Sequence, residues 1–283
     1  MKNLVLSIFL GFFLSIIVEA QSGIFLKRTL SDIMEQKADF TSGSAMYKPF
    51  FGTGDIDSKS VKGITRCGYL SVDTGGSSKV VSYDNEEHIL FILEGTGILQ
   101  YEESTVPVSK NDFIYIPAAV RYGLSNPRER TLKVLVMGFK IPAGTQIKPT
   151  SHLMIANSEE VRFQILGQHG PTTQFQLLMG TKESKRDRLA AAIQVNSLFI
   201  MDFSAGGTNI PHRHEREEEI YFVLRGSGEM VAGETPEGKE MRYPAKEGDT
   251  FYFAPGTLIG FYSATKEGEE HARILAVRSK FNF

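Results

Sequence analysis

The chain has 283 residues, a formal net charge of −2, 41% hydrophobic residues and 23% charged residues. These values belong to a folded globular protein and exclude disorder, collagen and coiled coil as its main architecture. Near-neutral charge leaves no footprint for nucleic acid or an anionic membrane surface, and the lone Cys67 excludes an intramolecular disulfide and a cysteine-rich zinc site.

In chain order, residues 1–20 read as a secretory signal. Lys2 gives a basic start, Leu4 to Val18 an apolar run, and Val18-Glu19-Ala20 a small-residue ending. The run is shorter than the roughly 20 residues of a spanning helix. The mature chain is therefore expected to begin at Gln21, to be periplasmic or secreted, and to carry no transmembrane span once the signal is removed. Ser31–Gln36 is expected to form a helical turn capped by Ser31. Ile64–Val72 is strand-like and holds Cys67, a residue suited to packing.

The next segment begins a duplication. Gly75 to Gly97 reads GGSSKVVSYDNEEHILFILEGTG, and Gly206 to Gly228 reads GGTNIPHRHEREEEIYFVLRGSG, a gapless match at an offset of 131 residues. A second pair, Asn111 to Leu124 (NDFIYIPAAVRYGL) and Gly248 to Phe261 (GDTFYFAPGTLIGF), matches at an offset of 137. The six extra residues of the second copy fall around Gly233–Lys246, a stretch that reads as a longer hairpin loop. Short runs rich in Ile, Val, Phe and Tyr include Ile89–Leu93, Phe113–Ile116, Leu132–Phe139, Leu198–Phe203, Ile220–Leu224 and Arg273–Arg278. Turn residues punctuate them at the spacing of a β-sandwich or barrel. The fold class is all-β, with each half a closed antiparallel β-barrel. Gly144–Thr150 interrupts the pattern, so the expected units are 21–150 and 151–283. Lys182–Ala192 has helix-forming composition between strand-like stretches.

The residues that carry chemistry lie in the second copy. Strand residues two apart share a face, so His212 and His214 offer two imidazoles to one side. After the Glu215–Glu218 turn, Glu219 enters the returning strand opposite them. Two imidazoles and one carboxylate suit a divalent transition metal with open positions for solvent or substrate. In the first copy Val81 replaces His212, Tyr83 replaces His214 and His88 replaces Glu219, while Tyr122 matches Ile259. No metal is expected there. His88 is expected to be a hydrogen-bonded core histidine, with a small organic ligand held by Tyr83, His88 and Tyr122 as the alternative.

Gly206, His212, His214, Glu219 and Gly226 match throughout the first motif of the cupin superfamily, G-x5-H-x-H-x(3,4)-E-x6-G. Gly248, Asp249 and Gly256 match part of its second motif, while Ile259 stands where that motif places a fourth ligand, a histidine. The chain thus resembles a bicupin, two tandem jelly-roll barrels. The resemblance implies a metal (Fe, Mn, Zn or Ni) held by His212, His214 and Glu219 in the C-terminal barrel, the N-terminal barrel having lost its ligands. Pro211 to Phe222 is similar to the metal strand of bicupin uronate ketol-isomerases. That implies a small-molecule substrate, a sugar acid from polysaccharide breakdown. The resemblance leaves two alternatives, a non-haem iron dioxygenase of quercetinase type and a non-catalytic sugar or metal binder, and leaves a homo-oligomer open. Asp112 and Asp249 are expected to hold hairpin backbone. His152, His169 and His271 show no ligand spacing and read as surface or turn residues. Tyr221, Phe251, Phe253 and Phe261 read mainly as core.

Overall fold

A computed structural model describes residues 24–55, 60–147, 152–264 and 271–280; the signal-like segment 1–20 lies outside them. The first half contains β1 (Phe25–Thr29), β2 (Ala45–Gly52), β3 (Ile64–Val72), β4 (Glu86–Glu94), β5 (Thr96–Tyr101), β6 (Ser104–Ser109), β7 (Asp112–Ile116), β8 (Tyr122–Ser125) and β9 (Leu132–Lys140). The second contains β10 (Met154–Asn157), β11 (Thr173–Thr181), β12 (Leu189–Ala192), β13 (Val195–Phe203), β14 (Thr208–Arg213), β15 (Glu217–Arg225), β16 (Ser227–Glu234), β17 (Glu240–Lys246), β18 (Asp249–Phe253), β19 (Leu258–Ser263) and β20 (Arg273–Lys280).

Each half is a jelly roll of one large and one small sheet. The order β10-β7-β4-β9-β3-β2 faces β6-β5-β8, and β1-β18-β15-β20-β13-β11-β12 faces β14-β19-β16-β17. The all-β, two-jelly-roll expectation holds. The sheets remain open rather than closing into continuous rings, and β11 pairs with β12 in parallel. The expected longer hairpin is the β16–β17 pair, where Ser227 lies opposite Lys246.

The continuous apolar runs are explained by burial on both strand faces, the pattern of strands covered on each side. In β4, Leu90 and Ile92 enter the core of the first half, while Ile89 and Phe91 enter a third core between the halves. In β15, Tyr221 and Val223 enter the core of the second half, and Ile220 and Phe222 point to that same shared core. The halves therefore pack large sheet against large sheet, with Phe50 against Phe222 and Phe51 against Tyr252, both at 5.8 Å between ring centroids. Cys67 is buried there as a free thiol.

Two reciprocal devices join the halves. β1 pairs with β18 of the second half, and β10 pairs with β7 of the first, so each half lends the other an edge strand. Glu87 and its repeat mate Glu218 are both fully buried. Glu87 accepts from the backbone N–H groups of Ile193, Gln194 and Val195 at 2.8–3.0 Å and from the Tyr115 hydroxyl. Glu218 accepts from the N–H groups of Lys62 and Gly63 at 2.8 and 2.7 Å and from the Tyr252 hydroxyl. Each buried carboxylate thus fixes a loop of the opposite half, with its lone pairs satisfied as burial demands.

Local expectations divide. Asp112 and Asp249 do hold hairpin backbone, accepting from Ser109 N and Lys246 N at 2.7 and 3.1 Å. Lys182–Ala192 forms no helix. Ser184 bonds the Asp187 carboxylate and the backbone N–H of Asp187 in a turn, and Leu189–Ala192 then joins the sheet as β12. Sheet pairing overrides a helix-forming composition in this stretch. Near the N-terminus only a three-residue 3-10 turn, Leu30–Asp32, forms. Ser31 bonds the Asp32 carboxylate instead of capping it.

Candidate metal centre

β14 delivers the histidine pair. His212 lies opposite Ile259 across the β14–β19 pair, and Arg213, on the other face, pairs with Glu234 at 2.6 Å. Alternation thus turns both imidazoles inward. β15 brings Glu219 beneath them, 1% exposed. One atom from each of the three residues lies within 4.8 Å of the others, a potential metal-donor group among the described residues.

The hydrogen bonds orient the rings. His212 Nδ1 lies 2.8 Å from the Ile210 carbonyl oxygen, which can only accept. Nδ1 therefore carries a proton, the arrangement that presents Nε2 as the metal-donor atom. His214 Nδ1 lies 3.3 Å from the Glu217 carboxylate, the outer partner that metal-binding imidazoles commonly use. The two Nε2 atoms stand 3.0 Å apart, and Glu219 Oε2 stands 3.4 Å from His214 Nε2. Donors bonded to one ion at roughly 2.0–2.2 Å lie roughly 3.0–3.4 Å apart for bond angles between about 90° and 109°. Those two separations fall in that range, and all three donor atoms lie within 4.8 Å of one another. Glu219 Oε2 is also buried without a hydrogen-bond partner. A buried carboxyl oxygen left without a partner beside two imidazole nitrogens is costly unless a cation or another donor reaches it. The donor set fits a divalent transition ion.

The electrostatics agree. Burial, opposed by Arg278, pushes the Glu219 carboxyl up to about 8. Burial, reinforced by Arg278 and by His212, brings His214 down to about 3. Without an ion the protein favours neutral side chains at this place, so His214 keeps its lone pair at neutral pH.

These residues line a cavity of about 270 Å³ together with His169, Asn209, Tyr221, Arg186 and Arg278. Arg278 lies opposite Glu219 on β20 and reaches 3.3 Å from His214 Nε2 and 3.2 Å from Glu217. The Tyr221 hydroxyl accepts from Asn209 at 2.9 Å. His169 corrects the expectation of a surface or turn residue without a site. It does sit in a turn, Gly167–His169, but its ring is 5.6 Å from that of His212. Burial, then His212, lowers its pKa. No periodicity marks such a residue, because a turn has none. Arg278 was legible in principle as the cross-strand neighbour of Glu219, once the order of strands is known. His152 and His271 are exposed.

The equivalent place in the first half is filled. Val81 bridges to Tyr122 as His212 does to Ile259, which supports the residue-by-residue correspondence of the copies. His88, 1% exposed, bonds Tyr122 Oη at 2.6 Å and Glu86 Oε2 at 2.9 Å and stacks on Tyr83 at 4.5 Å. Arg66 lies over Tyr83 at 4.2 Å and pairs with Asp39 and Glu86 at 3.0 and 3.2 Å. His88 is thus the hydrogen-bonded core histidine expected. Burial lowers its pKa, against the opposing hydrogen bond that its ring donates to Glu86.

Compared with known proteins, residues 68–138 and 199–278 match the family model of the cupin domain. Germin-like protein subfamily 2 member 1 of Arabidopsis thaliana is 36% identical over 80 residues, which cover 28% of this chain and 35% of that protein. The match therefore spans about a third of the relative's length. Among solved structures, a putative glyoxylate-induced protein from Pseudomonas aeruginosa aligns with a TM-score of 0.70 at 14% identity, covering 93% of this chain and 91% of that one. Protein Ylba from E. coli aligns with a TM-score of 0.67 at 12% identity, covering 93% of both chains. Oxalate decarboxylase from Lactobacillus farciminis, solved as a formate complex, aligns at 0.66 and 9% identity over 91% of this chain and 86% of that one. At such identities these likenesses speak for the fold.

Proposed function

Because the chain belongs to the cupin family, with a family match in each half, we propose that it is an exported bicupin. Its C-terminal half, within the unit 151–283, holds one divalent transition metal on His212, His214 and Glu219 and takes a small sugar acid, such as a uronate, as substrate. The observation that carries the reading is the convergence of three metal donors and the Arg278 guanidinium on one cavity. A divalent ion held there supplies Lewis-acid polarisation of a bound oxygen. The chain's own residues supply the rest. Arg278, anchored by Glu217, and Arg186 at the mouth present positive charge to a carboxylate. Asn209 and Tyr221 offer polar contacts to hydroxyl groups. Small-molecule sites run from roughly 300 to 1,000 Å³, and a cavity near the lower end suits a monomeric acid rather than a polymer. Export rests on the pattern of residues 1–20.

The test is binding and turnover on metal-loaded protein, followed by NMR. A hexuronate is expected to bind and isomerise, a neutral hexose of the same size to bind at least about tenfold more weakly, and Arg278→Gln to abolish the difference. Equal binding of both sugars by the native chain contradicts the acid-substrate reading. The two-histidine, one-carboxylate set also favours a second reading, a non-haem iron dioxygenase. Oxygen consumption by the iron-loaded protein, with no isomer formed, would select it. Binding without any product would select a storage or carrier role.

A further inference from the structure

Ile259 lies directly opposite His212 and is 1% exposed, so the position across the strand pair offers carbon where a fourth donor would sit. His169 stands beside His212. Its ring centroid is 5.6 Å from that of His212, compared with 4.8 Å between His212 and His214. Two imidazoles bonded to one ion through nitrogens at about 2.0–2.1 Å have ring centres roughly 5 Å apart. His169 Nδ1 is buried and has no hydrogen-bond partner. The ring rests on Phe175 at 5.0 Å and lines the same cavity as the other three donors.

We propose that His169 is the fourth protein ligand of the metal, supplied by a turn outside both repeated motifs in place of the donor that Ile259 removes. The inference rests on the reading of His212, His214 and Glu219 as a metal site. Those three already lie within 4.8 Å of one another, and His169 is not among them. Ligation therefore requires a short inward shift of the turn. Gly167 opens the turn, Gly170 follows it at φ 71°, and no side chain caps its first residue. Such a shift would draw the β10–β11 connection over the cavity, coupling metal uptake to the shape of the substrate site.

Cobalt(II) titration of the full mature chain tests this. Each ligating imidazole gives one exchangeable, paramagnetically shifted N–H signal. Three are expected in the native protein and two in His169→Ala, with cobalt affinity lowered about tenfold or more, since even an outer partner of a ligand is worth that much. His169→Phe keeps the packing on Phe175 and removes the donor, so it should behave as His169→Ala does. Two signals in the native protein, with unchanged affinity in both variants, would overturn the inference and leave the three-donor site standing. Equal cobalt binding by the native protein and the double variant His212→Ala, His214→Ala would instead bring down the site itself, and this inference with it.

Discussion

The two halves place the same strands around the same point and fill it in opposite ways. In the first half His88, Tyr83, Tyr122, Arg66 and Glu86 make a packed network in which both ring nitrogens of His88 have partners. In the second, two histidine nitrogens and a carboxyl oxygen without a hydrogen-bond partner converge on a cavity. Burial of polar groups is tolerated when every group is paired. The first half meets that condition internally, and in the second a bound cation would meet it. The strand frame is shared, so the contrast lies in whether the inward polar atoms satisfy one another.

The largest expected effect breaks the symmetry the halves retain. Glu87→Ala strips the acceptor from three backbone N–H groups, and Glu218→Ala strips it from two. Buried unpaired donors cost about 1–3 kcal/mol each. Urea unfolding should therefore show a loss of about 3 kcal/mol or more for Glu87→Ala and a smaller loss for Glu218→Ala. Equal stability of either variant with the native chain would refute the clamp.

A smaller effect sharpens the contrast between the inward histidines. His88 is buried neutral among Glu86, Arg66, Asp39, Tyr83 and Tyr122, with its pKa lowered by burial. The unfolded chain takes up a proton near the ordinary value of about 6.5, while the folded chain resists it. The stability gained by keeping His88 neutral is full above that pH and is lost progressively as pH falls below it. His88→Phe should flatten that part of the stability profile and leave metal content unchanged. A profile with the same slope in the variant contradicts the assignment.

The smallest expected effect concerns Ile259. A histidine at this position faces His212 across the strand pair, so Ile259→His should tighten metal binding several-fold in competition titrations. An unchanged affinity would show that the side chain at 259 does not reach the ion.

Much of this contrast was legible in the sequence. The duplication aligned His212 with Val81 and Ile259 with Tyr122, and the observed strand registers repeat that pairing. Strand-face alternation puts His212 and His214 on one side, and the returning strand brings Glu219 opposite them. The rest depended on tertiary proximity. His169 comes from a turn with no period to read, and Arg278 comes from a strand whose neighbour is fixed by sheet order. The exchange of β1 and β10 between the halves left no local trace either, because an edge strand looks the same whichever sheet it joins. The strand at Leu189–Ala192 was hidden by residues with helical preference.

The central claim is that the second half alone carries a metal site built on His212, His214 and Glu219. Elemental analysis of the purified protein, beside the double variant His212→Ala, His214→Ala and the single variant His88→Ala, tests it most directly. About one divalent transition ion per chain is expected in the native protein and in His88→Ala, and none in the double variant with its fold intact by circular dichroism. Equal metal content in the native chain and the double variant would contradict the account.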